Sequence, residues 1–273
     1  MLKEIKYVNH VNETIKLDTP QIFVQDCDLY NFEWSVTSKN DRISGFRRGI
    51  KSKSVTLIIK GSTPDECNRL CDRLSDVMEK DTLAVEPGKL FVGEYYLKCF
   101  VVESKKTEYV KKQGFVKVTL KVTTDSAFWT KESITTFGYG IANKGDNLDF
   151  HGDFPSDYTS NMLGKQLNNT GFFDTNFKIV IYGLCENPGV TIAGHLYKVD
   201  ASVARNEYLT IDSVNKTVTL VHTDGKVENC FHLRNKDSYI FKKIPCGVSN
   251  VSTSGDFKFD IVLLEERSEP KWI

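Results

Sequence analysis

The residues able to do chemistry are few, and their spacing does not bring them together. Five histidines stand at 10, 151, 195, 222 and 232, none paired at the short spacing by which two imidazoles share a metal ion. Cys67 and Cys71 are four apart, one helical turn, and would hold a metal only with two further ligands. Both fall in an apolar stripe, which makes them core thiols. Asp146, Asp149, Asp153 and Asp157 invite a calcium reading, but an EF-hand needs ligands at alternate positions and a closing glutamate. Pro155 and the aromatic residues interrupt that series, so an ordered connector rich in turn residues is expected there. No Gly-x-Ser-x-Gly elbow, Walker loop or His-Glu-x-x-His pattern occurs, and Gly138-Tyr-Gly140 does not continue into a dinucleotide fingerprint. No catalytic residue, cofactor site or metal site is therefore expected.

One concentration of charge does stand out. The stretch RISGFRRGIKSK carries Arg42, Arg47, Arg48, Lys51 and Lys53. It reads either as a solvated loop before a strand or as a subunit interface, since arginine is favoured where forked hydrogen bonds join two surfaces. At the other end, GDFKFDIVLLEERSEPKWI alternates Phe257, Phe259, Ile261 and Leu263 on one strand face. The opposite face gives way to Glu265, Glu266, Arg267, Glu269 and Lys271 before Trp272, a candidate anchor that docks the C-terminal peptide.

The elements that would position these residues are mostly strands. The exception runs from Thr63 to Lys80, where Cys67, Leu70, Cys71, Leu74, Val77 and Met78 fall at helical spacing. Thr63 serves as N-cap, Pro64 opens the helix, Glu66 completes a capping box and Lys80 suits the C-terminal dipole, which predicts a helix over 64–79. Val55–Lys60 reads as a strand, Lys89–Glu103 as a hairpin bending at Gly93, and Phe115–Thr124 as a strand with one buried face. The first domain, 1–130, is thus a β-sheet or sandwich carrying one helix.

Residues 131–176 are glycine-punctuated and read as a connector into a second domain, 131–273. Short strands are predicted at Phe177–Gly183, Gly189–Ile192, Leu196–Ala201, Tyr208–Asp212, Thr217–His222, Ser238–Lys242 and Asp256–Leu264. Hairpin turns are expected at Asp212–Thr217 and His222–Gly225, and the spacing indicates an all-β sandwich.

At 273 residues, 40% hydrophobic and 26% charged, the chain can build two ordinary cores. Basic and acidic residues balance at 36 each; cut at Thr130 they number 21 and 18 before, then 15 and 18 after, giving +3 and −3. That is too even for a nucleic-acid binder. No apolar run approaches the roughly 20 residues needed to cross a membrane, and the opening residues do not form a signal peptide. Seven scattered cysteines, an odd number, read as reduced thiols made in a cytoplasm.

A set of short motifs in fixed order carries a family likeness. PGKLFVGEYYLKC and TTDSAFW close the first domain, and LDFHGDFPSDYTSN fills the connector. NPGVTIAGHLY, YLTIDSVNKTV, FKKIPCGVSNVSTSG and FDIVLLEERSEPKW follow in the second domain. The chain resembles the distal tail proteins of long-tailed phages and prophages of Gram-positive bacteria. That resemblance implies an N-terminal β domain that closes with five copies into a hexameric ring at the end of the tail tube, and a galectin-like C-terminal sandwich. It implies a virion structural protein, not an enzyme, made in the host cytoplasm and sited at the distal tail. Expected partners are the tail tube, a tail-associated tip protein and a receptor-binding protein, with no specific nucleic acid and no membrane. The compact length lacks the insertion of elaborated members.

Two rivals remain at this point. A galectin-like sandwich raises the alternative of a carbohydrate-binding module for cell-wall polysaccharide, with His195, Arg205, Asn206 and Arg234 as dispersed hydrogen-bonding candidates. A wall hydrolase would need a carboxylate pair in a cleft.

Overall fold

The computed structural model describes residues 3–110, 114–126, 128–138 and 166–272. It is mostly β-strand, with one α-helix among the described residues. The chain divides into two compact units, Met1–Thr130 with Arg267–Ile273, and Lys131–Glu266. The aspartate series 146–157, His151 and the motif at 148–161 lie outside the described residues.

In the first unit the strands are β1 (Ile5–Val8), β2 (Thr14–Lys16), β3 (Ile22–Cys27), β4 (Ser35–Lys39), β5 (Arg42–Arg47) and β6 (Lys51–Lys60). The helix α1 (Pro64–Ala84) follows, then β7 (Gly88–Val92), β8 (Tyr95–Val110), β9 (Phe115–Thr124) and the start of β10 (Trp129–Phe137). Antiparallel pairing gives the order β3-β6-β9-β8-β7-β1-β2. Strand β9 buries Val116, Val118, Leu120 and Val122 on one face, as its alternation predicts. Gly93, at φ 59°, makes the β7–β8 turn that a side chain would strain.

The helix begins as expected: Thr63 accepts a hydrogen bond from the Glu66 amide, and Pro64 opens the first turn. It runs five residues past the predicted end at 79. The stop is a Schellman pair, with the Glu86 amide donating to the Asp81 carbonyl and the Val85 amide to that of Thr82. The left-handed position that usually takes glycine is Val85, at φ 58°. Lys80 consequently lies outside the last turn, which holds no basic residue. Its ammonium pairs instead with Glu13 at 2.6 Å.

The second unit continues with β11 (Gln166–Asn169), β12 (Asn176–Tyr182), β13 (Cys185–Glu186), β14 (Gly189–Ile192), β15 (His195–Lys198), β16 (Ser202–Val203) and β17 (Tyr208–Asp212). It ends with β18 (Thr217–Val221), β19 (Val227–Asn229), β20 (Gly247–Thr253) and β21 (Phe259–Arg267). One sheet runs β19-β18-β17-β12-β21 and the other β11-β20-β14-β15. Between them lies a core including Phe177, Ile179, Ile181, Val190, Tyr197, Leu209, Ile211 and Ile261. This is a β-sandwich. Asp212 fixes the β17–β18 turn by accepting from the amides of Val214 and Asn215.

Two expectations fail here. Ser238–Lys242 is not a strand: Ile240 and Phe241 are buried from within a turn, so their apolar character anchors a loop. In β21 the face opposite Phe259, Ile261 and Leu263 is buried too, with Asp260, Val262 and Leu264 inside, and the charged run opens on a Glu265 that is itself buried.

Candidate interaction surface

The basic stretch does not act as one group. Residues 35–47 form a hairpin, β4 against β5, paired with no other strand among the described residues. Its turn is Asn40-Asp41, both left-handed at φ 51° and 57°, the conformation a two-residue hairpin loop needs to match strand twist. The hairpin therefore stands as an arm with two unpaired edges, which in a monomer is a liability unless something pairs or covers it.

Its side chains reinforce that. Val36 and Phe46 face each other across the strands, and Trp34 meets Phe46 edge-on at 6.3 Å. Phe32, Val36, Ile43, Phe46 and Ile50 are 52–74% exposed. Scattered single apolar residues on a surface are ordinary, but here five fall within nineteen positions, Val36, Ile43 and Phe46 on the arm and Phe32 and Ile50 beside its root. Arg42 and Arg47 are exposed on β5.

Arg48, Lys51 and Lys53 belong to the root. The Arg48 guanidinium lies 4.8 Å from the Trp34 ring, 4.9 Å from Phe128 and 5.8 Å from Phe32. Burial lowers its pKa from the ordinary arginine value. The Lys53 ammonium donates to the carbonyls of Asn31 and Asp28, and burial likewise lowers its pKa. Lys51 pairs with Glu33 at 3.0 Å. Three of the five cations thus tie 28–34 to the start of β6, and two remain on the arm. The exposed apolar residues went unrecognised in the sequence; the signal was an Asn-Asp turn between WSVTSK and RISGFR, two alternating runs.

Trp272 lies in the first unit, stacked on Tyr30 at 4.1 Å and 24°, while staying 67% exposed. Of the sugar-site candidates, the His195 ring bonds the Tyr239 carbonyl and Arg234 stacks on Phe231 at 3.9 Å. Arg205 and Asn206 occupy the turn before β17. All seven cysteines are free, and burial pushes the Cys99 thiol up to about 12. No group of three metal-ligating side chains forms among the described residues.

Two polar clusters are structural. Asp81, fully buried at the helix end, accepts from the Tyr7 hydroxyl at 2.5 Å, the His10 amide at 2.8 Å and the His10 ring at 2.6 Å. In the second unit the His222 ring bridges Glu207 at 2.8 Å and Glu228 at 3.1 Å. The first bond above all, then the second, raises the imidazole pKa.

This order of elements is the fold of phage tail hub and baseplate proteins. The Dit protein (gp 19.1) of phage SPP1, described as a paradigm of hub adsorption apparatus in phages infecting Gram-positive bacteria, superposes with a TM-score of 0.58 at 13% identity, covering 96% of this chain and 99% of that one. A chain of the phage P2 baseplate in its activated conformation with Ca gives 0.63 at 12% identity, covering 99% and 100%. The same baseplate with Sr gives the same values, 0.63 and 12%. No protein-family model and no curated protein matches the sequence.

Proposed function

We propose that this protein is a structural hub at the distal end of a phage tail, self-associating through its first unit into a ring of six. The observation that carries this reading is the end-to-end likeness in fold, over 96–99% of this chain and 99–100% of its neighbours, to a hub protein and a baseplate chain. The arm supplies what a ring requires, an exposed apolar surface with unpaired strand edges. Arg42 and Arg47 lie at the contact, while Arg48, Lys51 and Lys53 hold the arm's root. Trp272 anchors the C-terminal peptide on Tyr30. The role is non-enzymatic, and the ring presents repeated surfaces to the tail tube above and to tip and receptor-binding proteins below, after synthesis in the host cytoplasm. A carbohydrate-binding module is not favoured, since His195 and Arg234 are engaged within the second unit and Trp272 is stacked in the first.

The test is mass by light scattering with negative-stain imaging of the same fractions. Closed particles of about 186 kDa, six chains of 31.0 kDa, are expected. A strict monomer at high concentration would overturn self-assembly as the function.

A further inference from the structure

Resting on the hub reading, we infer that the β4–β5 arm of one copy seats on the C-terminal end of helix α1 of the next copy. The receiving surface is apolar and acidic where the arm is apolar and basic. Leu83 and Val85 are 77% and 78% exposed at the helix end. Thr82 donates to the Val101 carbonyl, which sets that end beside Val102, itself half exposed. Glu79 and Glu86 flank the patch and are exposed.

The helix's own last turn does not offset this charge. Lys80, the one nearby base on the helix, is turned to Glu13, and the last turn carries no basic residue. The carbonyl end of a helix is the negative end of its dipole and favours a cation there. Arg42 and Arg47 beside Ile43 and Phe46 are the complementary set: cations for the helix end, apolar side chains for Leu83 and Val85.

Val85 adds a second argument for a covered site. A β-branched side chain in the left-handed position of a Schellman stop is strained where glycine would not be. Inside a single copy its side chain is spent on solvent, whereas beneath an arm it becomes part of a contact. Arm and helix end are different surfaces of the same unit, so the contact is heterologous and propagates head to tail. That is the geometry that closes into a ring.

The experiment measures assembly midpoint against concentration for four charge states of the full chain. Arg42→Glu with Arg47→Glu, and separately Glu79→Lys with Glu86→Lys, should each raise the midpoint about tenfold or more, because like charges then face each other. Combining all four should restore assembly toward wild type. Val85→Gly should raise thermal stability while raising the assembly midpoint, an opposition that a purely structural role would not produce. Thermal melts of every variant confirm folding. If the helix-end variants assemble like wild type, or the fourfold variant is no better than the worse pair, the arm seats elsewhere and this inference fails while the hub reading stands. If wild type never associates, both fail.

Discussion

Replacing Tyr7 with phenylalanine should destabilise the first unit by about 2 kcal/mol. The hydroxyl is one of three donors to Asp81, and Tyr7 and Asp81 are 1% and 0% exposed, so water cannot substitute for it. Burial above all, with Cys99 and Asp81 alongside, drives the phenol pKa above the ordinary tyrosine range, so it stays protonated and donates. A hydrogen bond to a charged partner contributes roughly 1.5–3 kcal/mol. The lower part of that range applies because Asp81 keeps both His10 contacts. Asp81→Ala goes further: it strands the Tyr7 hydroxyl and the His10 amide together, and a buried polar group left unsatisfied costs roughly 1–3 kcal/mol. Gly88→Ala should disturb the same cluster, since a Cβ there would collide with Asp81 and the Tyr7 hydroxyl. Urea denaturation followed by tryptophan emission is the suitable assay, because Trp34, Trp129 and Trp272 all lie in the first unit. At a slope of roughly 2 kcal/mol per molar urea, Tyr7→Phe should lower the midpoint by about 1 M. Midpoints within about 0.2 M of wild type for both Tyr7→Phe and Asp81→Ala, at that slope, would refute the claim that this cluster holds helix and sheet together.

Trp272→Ala, or removal of Ser268–Ile273, should lower the same midpoint by an amount equivalent to about 0.5–1.5 kcal/mol, the contribution of one aromatic stack; an unchanged midpoint would show that the peptide lies on Tyr30 without anchoring. His222 should titrate above the ordinary histidine range when followed by NMR, since Glu207 and then Glu228 hold its charged form. Its contribution is complete below about pH 6.5 and fades as pH rises through the raised value. Glu207, lowered chiefly by His222, contributes above the ordinary glutamate range and fades as pH falls through its own value. Hydrogen-exchange protection of the β17–β18 hairpin should follow that window, and a His222 titration at or below about 6.5 would count against it.

Where pattern and burial agree, the fold was legible. The start of α1 could be read because Thr63, Pro64 and Glu66 act within one turn, and Phe115–Thr124 because its alternation matches a sheet with one buried face. The end of α1 was not, because its stop is a valine in a glycine's conformation, and the next glycine, Gly88, lies beyond it. Lys80 looked like a closing base only because no local signal carried the helix to Ala84. Ser238–Lys242 failed for another reason: Ile240 and Phe241 fill the sandwich core from a turn, and burial alone carries no period.

The arm was hidden by the assumption that makes sequence patterns work, namely that apolar side chains point inward. Phe32, Val36, Ile43, Phe46 and Ile50 violate it, and so do Leu83 and Val85 at the helix end. Such violations lower the stability or solubility of an isolated copy: exposed apolar area invites association, and a β-branched residue at φ 58° costs roughly 1–2 kcal/mol. In the proposed assembly each finds a compensating gain in a contact. The same reasoning divides the five basic residues. Arg48, Lys51 and Lys53 have their gain inside the copy, in three aromatic rings, a glutamate and two backbone carbonyls, which makes the arm's root rigid. A rigid root presents a surface already shaped for its partner and reduces the ordering cost of binding. Among the described residues Arg42 and Arg47 receive no such internal return, which favours the proposed contact at the arm.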